Sequence, residues 1–151
     1  FANAYTPVVD SSAIPTGEIA SVEGTPMDFR TEKQIGQDIR ADFEQLHFTG
    51  GYDHNYVLGR PGEKKIMANA YCRESGIALE AATDCCGVQF YAGNFIGEQT
   101  GKGGAAYHDR SAFCLESQFY PNAVNEPDFP SPVVKAGDTY HTETSYRFYL
   151  R

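Results

Sequence analysis

Short β-type runs separated by turn residues constrain this chain more than any other feature. Ile66–Cys72 and Ile77–Ala82 flank Arg73-Glu-Ser-Gly76 and predict a hairpin. Val88–Tyr91 is a further strand-like run, followed by a glycine-rich stretch over 97–104 and then by Ala112–Tyr120. Near the end the alternation is residue by residue: Tyr140, Thr142, Thr144, Tyr146, Phe148 and Leu150 against His141, Glu143, Ser145, Arg147 and Tyr149. Such runs bury one face each, so the pattern predicts an antiparallel β-sandwich, all-β in the main. Fifteen Gly, eight Pro, ten Tyr and ten Phe fit many short strands and turns, not a helical bundle. The segment Tyr5–Arg30 reads as loop and short strand, anchored by Ile19 and Val22. One helix is predicted near 32–46. Thr31 and Gln34 form a capping-box signature, and Ile35, Ile39, Phe43 and Leu46 recur at near-helical spacing, interrupted by Gly36.

At 151 residues the chain suits one domain. Its formal charge of −8 argues against nucleic acid or an anionic membrane surface as partner, since both need basic patches. No apolar run approaches the ~20 residues of a membrane span. Cys72, Cys85, Cys86 and Cys114 lack zinc spacing, and the adjacent Cys85-Cys86 pair is a poor disulfide candidate. Free thiols and a reducing, cytoplasmic setting are expected, with each Cys a small buried hydrophobe. Gly101-Lys-Gly-Gly104 lacks the spacing and the following helix of a phosphate-binding loop and reads as a surface loop.

Chemistry concentrates in Ser111–Tyr120. In a strand, Phe113, Leu115, Ser117 and Phe119 share one face, and Cys114, Glu116, Gln118 and Tyr120 the other. A carboxylate in mid-strand needs a wet, paired or functional face. By strand grammar alone, Glu116 points at water. Two other segments have the same mixed character. Gly50-Gly-Tyr-Asp-His-Asn-Tyr-Val-Leu58 places acid, imidazole and amide between aromatics after a Gly-Gly turn, and Val88-Gln-Phe-Tyr-Ala-Gly-Asn-Phe95 ends in a Gly-Asn turn.

Taken in order with Asp109-Arg-Ser-Ala-Phe113 and Phe113-Cys-Leu-Glu-Ser-Gln118, these segments resemble the galactose mutarotase (aldose 1-epimerase) family. The start, Ile14–Glu18 through Gly24–Arg30, and the stretch Tyr120–Ser131 fit it too. The resemblance sharpens the sandwich to the galactose mutarotase-like (supersandwich) type. It implies that residues 1–151 are the C-terminal part of a single aldose 1-epimerase domain. The family's arginine and two active-site histidines belong to an N-terminal half whose motifs have no match here.

The resemblance places the catalytic base at Glu116 and sugar contacts at Asp53 and Gln89, with an acid histidine from the N-terminal half. By local sequence alone, Asp53 is as readily a backbone-capping loop acid, and Gln89 a partner of a neighbouring strand. The implied reaction is acid–base opening and closure of the hemiacetal of galactose or glucose, which needs no metal or organic cofactor. The implied partners are an aldohexose and either the N-terminal half or a second copy paired through open β-edges. Alternatives are a non-catalytic carbohydrate-binding protein of the same fold and a hexose-6-phosphate 1-epimerase. The latter needs basic residues that the motif segments lack beyond Arg60, Arg73 and Arg110. His54 reads as structural or as a support to the site, and His47, His108 and His141 have no partner at metal-ligand spacing.

Overall fold

The computed structural model describes residues 4–151. Its main layer is a five-stranded antiparallel sheet of β1 (Ala4–Tyr5), β4 (Ala20–Ser21), β5 (Asp53–Val57), β8 (Gly87–Tyr91) and β11 (Cys114–Gln118), in the order β11-β8-β5-β1-β4. A second sheet runs β12-β7-β6, from β6 (Lys65–Tyr71), β7 (Ile77–Thr83) and β12 (Thr144–Leu150). Two small ribbons pair β2 (Val8–Val9) with β3 (Ile14–Pro15), and β9 (Gln99–Thr100) with β10 (Ala106–Tyr107).

The sheets pack through residues that alternate inward. Tyr5, Tyr56, Val88 and Phe90 from the first meet Met67, Ala68 and Ala81 from the second in one buried cluster, joined by Val22, Met27, Ile39, Leu46 and Tyr52. Phe90 is its hub: Tyr52 stacks on it at 5.5 Å, and Phe29 and Phe113 meet it edge-on at 5.5 and 6.3 Å. Each such aromatic pair adds about 0.5–1.5 kcal/mol to the burial itself. The phenols of Tyr52 and Tyr56 donate to the carbonyls of Pro26 and Met27, so neither hydroxyl is desolvated without a partner. A line of hydroxyls ties the layers together. Thr144 Oγ1 lies 2.5 Å from Ser117 Oγ and 3.0 Å from Thr83 Oγ1, and Tyr146 donates to the Leu115 carbonyl at 2.9 Å.

The hairpin and the strand at 87–91 agree with the sequence pattern, and mainly antiparallel sheets with one short α-helix are the architecture found. The terminal strand begins only at Thr144, not Tyr140, and neither of its faces is buried, because it is the outer strand of its sheet. The helix itself is displaced. Residues 32–43 form successive turns, with Gln37 donating to Gln34 and Ala41 to Asp38, and α1 spans only Glu44–Thr49. Ile35 and Phe43 pack against the core and Ile39 is buried, so the apolar spacing is real but is satisfied by turns around Gly36. Thr31 caps nothing: the residue ahead of α1 is Phe43, without a side-chain cap. Gln45 anchors α1 instead, accepting from Val8 N at 2.7 Å and donating to Val8 O at 2.9 Å. Ile19 is 48% exposed and anchors nothing, whereas Val22 is fully buried. The cysteines divide: Cys85 and Cys86 are buried as expected, but Cys72 and Cys114 are exposed because both stand at the open side of an outer element. All four are free thiols.

Candidate functional site

Register builds the site. β8 lies between β5 and β11, with Asn55 opposite Gln89 and Gln89 opposite Glu116. One step along, Asp53, Tyr91 and Cys114 form a parallel row, and Val57, Gly87 and Gln118 form a third. Directly opposed residues share a face, so Asp53, Gln89, Cys114, Glu116 and Gln118 stand on one side of the sheet. The other side carries His54, Tyr56, Val88, Phe90 and Leu115, whose burial fixes the register: a slip of one residue would exchange the faces.

The polar groups on the open face are connected. Gln89 Nε2 donates to Asp53 Oδ1 at 2.8 Å, and Gln118 Nε2 lies 3.5 Å from Gln89 Oε1. Asp53 is thus a strand residue with one carboxylate oxygen held by Gln89 and capacity left for a further donor. Glu116 is exposed on the outermost strand. The Cys114 thiol is pushed above its ordinary pKa, first by burial of the sulfur and then by the nearby Glu116 and Asp53 carboxylates.

Sequence reasoning singled out Asp53, Gln89 and Glu116, and the structure brings all three onto one face. It also placed Cys114 and Gln118 on the Glu116 face of their strand, but it did not single out Asn55, which the pairing of β5 with β8 sets opposite Gln89. Asn55 is buried at one end of its row, next to Gly87 and Tyr120. A Cβ at Gly87 would collide with Asn55 Oδ1 and lie 2.9 and 3.1 Å from the Tyr120 ring. Glycine is required there for space, not for its φ. Cys86, Tyr120, Ala123 and Phe129 form a small second core that closes this end of the face, with Tyr120 and Phe129 edge-on at 5.1 Å.

The histidines lie elsewhere. His54 points into the core, where its ring meets Tyr5 edge-on at 5.9 Å. His47 stands near Asp42, His108 bonds Glu98 at 2.8 Å, and His141 is exposed in a loop. Among the described residues no group of three or more His, Cys, Asp or Glu is arranged to hold a metal ion, and no helix is long and apolar enough to cross a membrane.

This chain matches the family model for aldose 1-epimerase over residues 1–147. The galactose mutarotase of Sus scrofa is 44% identical over 148 residues, which cover 97% of this chain and 42% of that protein. The aldose 1-epimerase of Escherichia coli K12 is 36% identical over 150 residues, covering 97% and 43%. Among solved structures, an aldose epimerase homologue from C. elegans superposes with a TM-score of 0.79 at 30% identity, over 99% of this chain and 44% of that one. Galactose 1-epimerase from Lactobacillus acidophilus superposes with a TM-score of 0.71 at 23% identity, a likeness of fold. The chain belongs to the aldose 1-epimerase family. It spans less than half the length of these relatives.

Proposed function

We propose that this chain supplies the base and two sugar contacts of a mutarotase that interconverts the α and β anomers of galactose or glucose. The observation that carries the reading is the gathering of Asp53, Gln89 and Glu116 on one face of three adjacent strands, with Gln89 bonded to Asp53. In the proposed reaction the Glu116 carboxylate takes the proton of the C1 hydroxyl while an acid protonates the ring oxygen. The C1–O5 bond breaks to give the open aldehyde. The C1 carbonyl then turns its other face to O5, and closure returns both protons. Asp53 and Gln89 hold ring hydroxyls, the carboxylate as acceptor and the amide as donor and acceptor. No residue among the described histidines stands on the Glu116 face, so the acid is assigned to a histidine of the N-terminal half seen in longer relatives, carried by the same protein or by a partner chain. That half would lie against the outer strands β11 and β12. A cleft of about 1100 Å³ lies between the two sheets and the 29–37 segment, with Leu79, Phe113, Leu115 and Phe148 among its walls.

The missing acid also favours a second reading for the chain by itself: it binds sugar without turning it over. Hexose 6-phosphate as substrate is not favoured, because Arg110 is tied to a backbone carbonyl and neither Arg60 nor Arg73 lies on β5, β8 or β11. Polarimetry on freshly dissolved α-galactose tests the proposal, with Glu116→Gln compared in protein that includes the N-terminal half. The expected loss is about 10²–10⁴-fold or more, and near-normal turnover in that variant refutes the assignment. The 151-residue chain alone is expected to show little or no activity and to self-associate through its open edges. A monomer in sedimentation with full activity contradicts this.

A further inference from the structure

The turn that delivers Asp53 is held in an unusual way. It follows α1 and consists of Thr49, Gly50, Gly51 and Tyr52. Gly50 at φ +66° and Gly51 at φ +140° occupy backbone regions that side-chain-bearing residues rarely adopt. A turn built on two glycines is free to fold many ways, yet every one of its four carbonyls is bonded. Asn94 Nδ2 donates to Thr49 O and to Tyr52 O, each at 3.1 Å. Arg110 Nη2 donates to Gly50 O at 2.7 Å. Thr49 Oγ1 donates to Gly51 O at 2.6 Å, and the Ala92 amide also donates to Tyr52 O at 2.9 Å.

Asn94 is only 4% exposed, and its two N–H bonds are both spent on this turn. Its Oδ1 lies where a Cβ on Gly51 would stand, so Gly51 and Asn94 are a matched pair. Arg110 is a surface residue at φ +65°, a conformation that costs a non-glycine residue of order 1 kcal/mol. That backbone shape lets its amide donate to Gly93 O at 2.7 Å while the guanidinium reaches Gly50, sixty residues away in sequence. Three loops, at the ends of β5, β8 and β11 where Asp53, Tyr91 and Cys114 lie, are thereby joined at one point.

We propose that Asn94 and Arg110 are positioning residues for Asp53, acting through the Thr49–Tyr52 turn to fix the direction from which its carboxylate meets the sugar. This rests on Asp53 as a sugar contact, as proposed above. Neither residue touches the reacting atoms. Their effect is preorganisation: a glycine-rich turn left loose would present the carboxylate over a range of positions, and small misplacements weaken a directional contact.

Arg110→Gly separates this role from a merely structural one. Glycine relieves the backbone conformation at 110 and keeps the amide bond to Gly93, so the variant should fold with a thermal midpoint unchanged or raised. Amide hydrogen exchange at Gly51, Asp53 and Ala92 should nevertheless quicken, by roughly 2- to 12-fold for the loss of one such hydrogen bond, with β6 and β7 unaffected. Galactose affinity, followed by chemical shifts in a titration of the 151-residue chain, should fall by a similar factor. Asn94→Asp, which removes both donors and sets a carboxylate against two carbonyls, should loosen the same amides more. Unchanged exchange at the turn in Arg110→Gly, or exchange quickened equally in β6 and β7, overturns the proposal. A looser turn with unchanged affinity also overturns it, provided Asp53→Asn does weaken binding. If Asp53→Asn leaves binding unchanged, the fault lies with Asp53 as the sugar contact.

Discussion

Acid should unfold this chain through His54 before it does so through any carboxylate. The His54 ring is fully buried, its Nδ1 accepts from the Asp53 amide at 3.2 Å, and its Nε2 has no hydrogen-bond partner. Burial pushes its pKa down from 6.5 to about 4. In the folded chain the imidazole therefore stays neutral, while in the unfolded chain it takes a proton as the pH falls below 6.5. Its contribution to stability is complete above 6.5, shrinks as the pH falls and is gone once the folded form also protonates near 4. At ~1.4 kcal/mol per pH unit this interval amounts to about 3 kcal/mol, of which about 1 kcal/mol is lost already at pH ~5.5. For a chain of this size the full interval corresponds to a fall in midpoint of roughly 6–12 °C. The carboxylates held low, Asp28 at about 2 beside Arg30, Asp10 by hydrogen bonds from Ser12 and Asp84 by hydrogen bonds from Thr142 and Glu143, act in a separate window below 3.8. Urea unfolding of the wild type and of His54→Gln at pH 7, 5.5 and 4.5 isolates the effect, because Gln can accept from the Asp53 amide but cannot titrate. The variant should start less stable and lose much less between pH 7 and 4.5. Parallel pH dependence in the two proteins would refute the reasoning.

Two further outcomes follow from packing and thiol chemistry. Gly87→Ala should destabilise by about 1–3 kcal/mol, the usual range for overpacking, because the new methyl meets Asn55 and the Tyr120 ring in a closed pocket. A denaturation midpoint equal to or above that of the wild type would show that the pocket yields. With iodoacetamide at mildly alkaline pH, Cys72 should label faster than Cys114, since hydrogen bonds from Ser75 lower the first thiol's pKa and burial beside two carboxylates raises the second's. Mass spectrometry of partly labelled chain checks the order, and Cys85 and Cys86 should label only on unfolding.

What the sequence disclosed about this fold was the part written in local periods. A two-residue alternation bounded by Gly76 was enough for the β6–β7 hairpin, and it divided Ser111–Tyr120 into the faces observed. Local periods also misled. Ile35, Ile39, Phe43 and Leu46 are spaced as a helix would space them, but four apolar side chains can reach one core equally well from consecutive turns, and Gly36 makes turns the cheaper course. Spacing fixes which residues go inward. It does not fix the backbone that takes them there.

The site was legible only through likeness, for a physical reason. Asp53 and Gln89 are thirty-six residues apart, and each is ordinary by itself: an acid after a Gly-Gly turn and an amide at a strand start. Their bond is indeed one between neighbouring strands, the bland expectation for Gln89, and what makes it a site is the row it belongs to. Rows exist only once register is set, and register is set on the opposite face, by Tyr56, Val88, Phe90 and Leu115 going into the core. The same holds for Asn94 and Arg110, whose targets are carbonyl oxygens with no sequence signature of their own. The chemistry of the open face is therefore a by-product of apolar burial on the closed one. Substitutions that leave Glu116, Asp53 and Gln89 untouched but shift Phe90 or Tyr56 should disturb the site as surely as changes to the polar residues themselves.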